Sequence, residues 1–102
     1  MEIGKLPPET LGRLLAKAKT DPTVIIGPAY GEDAAAIRFG GGVLVAASDP
    51  VTFTTDRIGY YAVCVNANDI AVTGATPRYF LATILLPDGS RESDAAGVFD
   101  QI

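Results

Sequence analysis

Three acidic residues, Asp33, Asp49 and Asp69, stand where a carboxylate needs a partner, and Asn66 lies one helical turn before the third. In the stretch 56–74, DRIGYYAVCVNANDIAVTG, an apolar helix-like pattern is broken by Asn66, Asn68 and Asp69. At about 100° per residue, Gly59, Ala62, Asn66, Asp69 and Thr73 fall on one narrow face, with Ile58, Tyr61, Val65 and Val72 to one side. Small residues on that face admit a close neighbour. A buried carboxylate among them must be hydrogen-bonded, paired or metal-bound, so the face is expected to meet a cation, a capping segment or a polar ligand. Asn68 projects nearly opposite Asn66, so one of the two is expected to serve the site and the other the fold.

The other two acids are linked by a hairpin expectation. Strand-like runs at 33–39 and 43–49 flank Gly40-Gly41-Gly42. With Gly41 at the loop centre, Phe39 faces Val43 and Asp33 faces Asp49; a two-residue loop shifts this register by one. Directly opposed side chains have Cβ atoms roughly 4.5–5.5 Å apart, where like charges repel unless something positive lies between them. On the first register the pair reads as half of a cation site.

Composition narrows the chemistry. The chain has no histidine and a single cysteine, Cys64, which excludes Ser-His-Asp triads, imidazole metal sites and cysteine-rich zinc sites. What remains is carboxylates, amides and hydroxyls, oxygen donors that suit Mg²⁺, an ion typically held by one or two carboxylates plus substrate phosphates. Net charge is −4 and the eight Lys and Arg are scattered, so no basic stripe is available for nucleic acid or an anionic membrane. No apolar run approaches the ~20 residues of a membrane span, and the opening MEIGK is unlike a signal peptide, so a cytoplasmic location is expected.

The elements that must position these residues follow from pattern and punctuation. Pro7 and Pro8 begin a helix over 5–19, with Leu11, Leu14, Leu15 and Ala18 at helical spacing and Asp21-Pro22 as its stop. A short β-branched strand follows at 23–26, then the hairpin, then the helix over 56–74. The run PRYFLATILL at 77–86 favours a fourth strand, closed by Pro87-Asp88-Gly89. A last helix spans 93–102, with Ser90 or Ser93 as its cap. At 102 residues the chain is one small domain, and the order predicts an α+β fold: a mainly antiparallel four-stranded sheet with helices on one face. Such a sheet leaves edges or an apolar face that dimerisation would cover.

Four segments in order resemble the N-terminal domain of the aminoimidazole ribonucleotide synthetase superfamily. Gly31-Glu32-Asp33-Ala34-Ala35 is similar to its Gly-x-Asp-Asp-Ala segment, and Ala47-Ser48-Asp49 to its strand-end Thr/Ser-Asp. Asn68-Asp69-Ile70-Ala71 resembles its Asn-Asp helix, and Gly74-Ala75-Thr76-Pro77 its Gly-Ala-x-Pro turn. The resemblance implies ATP and Mg²⁺ as cofactors, activation of a substrate oxygen by phosphoryl transfer, and a homodimer whose two sheets join into a barrel with nucleotide near the interface. Carried over by position, it implies that Asp33, Asp49 and Asp69 hold the metal or face phosphate, with Asn66 or Asn68 assisting. The opening Gly4-Lys5-Leu6 and Gly31-Glu32-Asp33 most resemble the hydrogenase-maturation branch, whose member dehydrates a thiocarbamoyl group. Glu32 replaces the first Asp of the usual pair, and the linker 49–56 is shorter than the family's substrate-facing loop. The C-terminal domain that completes each site in the family is absent from this sequence, so the isolated chain is expected to hold half a site. The rival reading is a non-catalytic dimerisation or nucleotide-sensing module of the same fold.

Other features take plainer readings. Cys64 is a small core residue; Gly40-Gly41-Gly42 is a turn, lacking the Lys-Ser/Thr ending of a phosphate-binding loop. Tyr60-Tyr61 and Tyr79-Phe80 read as core or dimer interface, and Arg57 and Arg78 as solvated surface. No residue is a convincing general base.

Overall fold

Helix α1 (Pro8–Leu15) starts where proline chemistry places it. Pro8 occupies the first helical position, where its missing N–H costs nothing, and its fixed φ suits the first turn. The helix is shorter than its apolar spacing suggests. It ends well before Asp21-Pro22, where the Asp21 carboxylate is engaged locally: Oδ1 accepts from the Thr23 amide (2.8 Å) and from the Thr23 hydroxyl (2.6 Å). These bonds, the side-chain one first, hold the Asp21 pKa below the ordinary carboxylate value.

The computed structural model describes residues 4–52, 54 and 56–102. The chain divides into two compact units, Met1–Ala46 and Ala47–Ile102. The first carries α1 and an antiparallel sheet of three strands in the order β1 (Val24–Ile26), β2 (Ala35–Phe39), β3 (Gly42–Ala46). Ala36 on the central strand is its buried apolar side chain.

The hairpin between β2 and β3 corrects the expected register. Phe39 pairs with Gly42 and Ala35 with Ala46, so the loop is the two residues Gly40-Gly41 rather than three glycines. Gly40 has φ 57°, the positive φ that the first position of a tight II′ hairpin loop requires and that glycine adopts without strain. A one-residue shift sends every side chain to the opposite partner, so Asp33 does not face Asp49 in the ladder, and both lie beyond its last pair. The strands themselves are also shorter than the runs 33–39 and 43–49.

The second unit contains α2 (Ile58–Ala71) and α3 (Glu92–Phe99). Helix α2 starts two residues later than expected, because Arg57 stands at its N-cap in the left-handed region, φ 53°. Beyond Ala71, Thr73 bonds back to the Ile70 carbonyl (2.7 Å) and Gly74, φ 85°, turns the chain away. Helix α3 is capped differently from expectation. The Asp94 carboxylate accepts the Arg91 amide (2.8 Å) and its guanidinium (3.4 Å), while Ser90 bonds to the Pro87 carbonyl.

The fourth strand expected at 77–86 is not shown: the run is in no strand of the chain described, and Tyr79, Leu81 and Leu85 stand 92%, 98% and 89% exposed. β-Branched and aromatic residues favour a strand only when a partner strand offers its ladder, and none pairs with this run among the described residues. Among those residues, no helix is long and apolar enough to cross a membrane.

Candidate functional site

Asn66 lies on the inner face of α2, half-buried, and its carboxamide grips the backbone of Asp49 at both ends. Its Oδ1 accepts the Asp49 N–H at 2.8 Å, and its Nδ2 donates to the Asp49 carbonyl at 3.0 Å. The amide thus imitates the edge of a partner strand for one residue. Nδ2 also donates to the Ala62 carbonyl one turn back at 2.9 Å, and this third bond fixes which end of the amide is nitrogen. The face predicted to meet a cation, a capping segment or a polar ligand therefore meets, at Asn66, a segment of the chain.

The Asp49 carboxylate is left out of this clamp. It is exposed and accepts no hydrogen bond from the described residues. Asp33, in the other unit, is likewise exposed, and Asp69 shares the Asn66 face of α2 and is half-buried rather than enclosed. No charged or polar side chain is fully buried among the described residues. The expectation of a buried carboxylate thus gives way to acids with access to solvent. Within neither unit do three carboxylate or thiol side chains gather into a metal-holding group among the described residues. Asn68 is exposed.

The N-terminal end of the same face is closed by α3. Gly59 is buried, and its amide donates to Oε1 of Gln101 at 2.9 Å. A Cβ at position 59 would lie 2.6 Å from the Val98 carbonyl oxygen and 2.8 Å from Cβ of Gln101. Sequence pattern marks Gly59 as a point of close approach. Nothing local marks Gln101, 42 residues away, as the group that arrives there.

Aromatic and thiol groups at the start of α2 engage one another. The Arg57 guanidinium lies 4.4 Å from the Tyr60 ring centroid, and Tyr60 meets Tyr61 edge-on at 5.5 Å. The Cys64 thiol one turn on pushes the Tyr60 phenol above its ordinary range, against the opposing pull of Arg57. Arg57 is therefore a ring partner rather than only a solvated charge, and Cys64 is half-buried. On the first unit an open apolar hollow of about 400 Å³, lined by Lys5, Leu6, Pro8, Leu11 and Tyr30, contains none of the candidate acids.

An α+β chain with exposed acids flanking its hairpin strands and a half-buried acid on an Asn-Asp helix falls in a class of small carboxylate-bearing domains. The family model of the AIR synthase related protein N-terminal domain matches residues 31–102, and the chain belongs to that family. The match covers all four motif segments. Among characterised relatives, carbamoyl dehydratase HypE of Escherichia coli (strain K12) is 46% identical over 41 residues, covering 40% of this chain and 12% of that protein. Thiamine-monophosphate kinase of Archaeoglobus fulgidus is 34% identical over 70 residues, 61% of this chain and 24% of that protein. Carbamoyl dehydratase HypE of Rhodobacter capsulatus is 39% identical over 62 residues, 48% and 18% respectively. The chain thus spans no more than about a quarter of the length of these relatives. No solved structure matches it.

Proposed function

We propose that this chain is the ATP- and Mg²⁺-binding domain of an enzyme that activates a substrate oxygen by phosphoryl transfer, of the hydrogenase-maturation type. The observation that carries the reading is the family match over 31–102, which includes Asp33, Asp49 and Asp69 together with the Asn66 clamp. Two of the relatives are named as dehydratases and one as a kinase of a monophosphate, which favours chemistry at an oxygen.

The donor set fits Mg²⁺. The available ligands are oxygens, the Asp33 and Asp49 carboxylates are exposed, and this ion needs only one or two carboxylates when phosphates supply the rest. Asp33, Asp49 and Asp69 would hold it, and when bound it would neutralise charge on the phosphate oxygens. The chain's own part is placement. Helix α2 carries Asp69 and, through Asn66, fixes the backbone that bears Asp49.

We assign a homodimer as the working assembly, with a fourth strand, helices on one sheet face and a shared barrel completed on association. The exposed apolar run 77–86 supports this, since Tyr79, Leu81 and Leu85 gain by leaving water. Calorimetric titration with a non-hydrolysable ATP analogue, with and without Mg²⁺, tests the reading. Mg²⁺-dependent binding that Asp69→Asn abolishes is expected; binding that ignores both the metal and the substitution would refute it.

A further inference from the structure

Asn66 belongs to the same motif region as the acids, yet its amide is already engaged by the chain. Nδ2 gives both hydrogens, one to the Asp49 carbonyl and one to the Ala62 carbonyl, and Oδ1 receives the Asp49 amide. Both donors of a carboxamide are thereby committed, and a phosphate or ribose oxygen has no N–H left to receive from it. What the three bonds do instead is lock one residue. With its N–H and carbonyl both held to a helix, Asp49 cannot rotate its peptide planes, and the direction of its Cα–Cβ bond is set. The Asp49 carboxylate itself stays clear of the clamp and accepts no hydrogen bond from the described residues.

We infer that Asn66 is a positioning residue: it acts on the Mg²⁺–nucleotide site only through Asp49, and does not touch the ligand. The inference rests on the proposed function, because it assigns Asn66 a role within that site. Holding a carboxylate in its binding geometry before the metal arrives removes an ordering cost from binding, so loss of the clamp weakens Mg²⁺ uptake even though no ligand contact is lost.

A double-mutant cycle separates action through Asp49 from direct contact. The full chain and its Asn66→Ala, Asp49→Asn and doubly substituted forms are titrated with Mg²⁺ and a non-hydrolysable ATP analogue. Each single substitution is expected to weaken Mg²⁺-dependent binding about tenfold or more, with the double no weaker than Asp49→Asn alone. Losses that multiply would mean that Asn66 meets the ligand itself, and would overturn the inference while leaving the proposed function standing. If the unsubstituted chain binds neither Mg²⁺ nor the analogue, the proposed function falls and the inference with it. Should Asn66→Ala fail to fold, amide hydrogen exchange in the unsubstituted chain decides. The Asp49 amide is expected to be protected although it lies outside every strand; exchange at the free-peptide rate would refute the clamp.

Discussion

Oε1 of Gln101 accepts the amide of Gly59 at 2.9 Å, so a residue just past α3 caps the first turn of α2 from 42 positions away. The usual device is missing there. Arg57 at the N-cap makes no side-chain cap bond, and the first four N–H groups of a helix have no partner within it. Gln101 supplies one from outside, and the bond ties the helix bearing Asn66 and Asp69 to its neighbour.

Removing that acceptor should loosen the helix start. Gln101→Ala is expected to cost about 1 kcal/mol, the usual worth of a lost N-cap bond, read as a lower urea midpoint with unchanged slope. Gln101→Glu keeps an acceptor and adds negative charge at the positive end of the helix dipole, so it should hold or exceed the original stability.

Gly59→Ala should be worse than Gln101→Ala. The added methyl would sit 2.6 Å from a carbonyl oxygen, and that oxygen belongs to the backbone of Val98, which cannot swing aside as a side-chain end can. Overpacking of this kind costs roughly 1–3 kcal/mol, although alanine is intrinsically the better helix former. A thermal melt showing a stabilised Gly59→Ala chain would contradict the close approach of α3.

Acid stability has a local signature at Asp21. Because hydrogen bonds from Thr23 depress its folded pKa, the stability it contributes is present above the unfolded value and is lost as pH falls through the folded one. Thr23→Val removes the hydroxyl bond and keeps the amide bond, so the Asp21 pKa should rise part of the way back, as read by carboxyl NMR titration. The stability gap between the two chains should be open above about pH 4 and close in stronger acid.

Leu81 tests the assembly. At 98% exposed it contributes little to the fold of one chain, so Leu81→Asp should leave the circular dichroism spectrum intact. Light scattering should nevertheless report a shift from dimer mass to monomer mass. A monomer before substitution, or a dimer untouched by it, would remove this run from the interface.

The parts of this molecule legible from sequence are those with short-range causes. Prolines marked the start of α1, turn glycines marked the hairpin, and helical spacing found the Asn66 face of α2. The rest are questions of partnership. Register turned on whether two or three glycines made the loop, and with a two-residue loop Asp33 and Asp49 are not a cross-strand pair of the ladder. The run 77–86 has the residues of a strand but lacks a partner within the described chain. At the candidate site, spacing exposed the need for a neighbour on the Asn66 face, while the identity of that neighbour, the Asp49 backbone, depends on a fold-level approach across 17 positions.

The measurement closest to the heart of the proposal uses Mn²⁺ in place of Mg²⁺, with a non-hydrolysable ATP analogue present, and follows amide resonances along the chain. Paramagnetic broadening should be strongest around Asp33, Asp49 and Asp69, and should fade when the analogue is withdrawn or Asp49→Asn is introduced. Broadening centred on the acids of α3, Glu92 and Asp94, or spread evenly over all exposed carboxylates, would contradict a built metal and nucleotide site at those three positions.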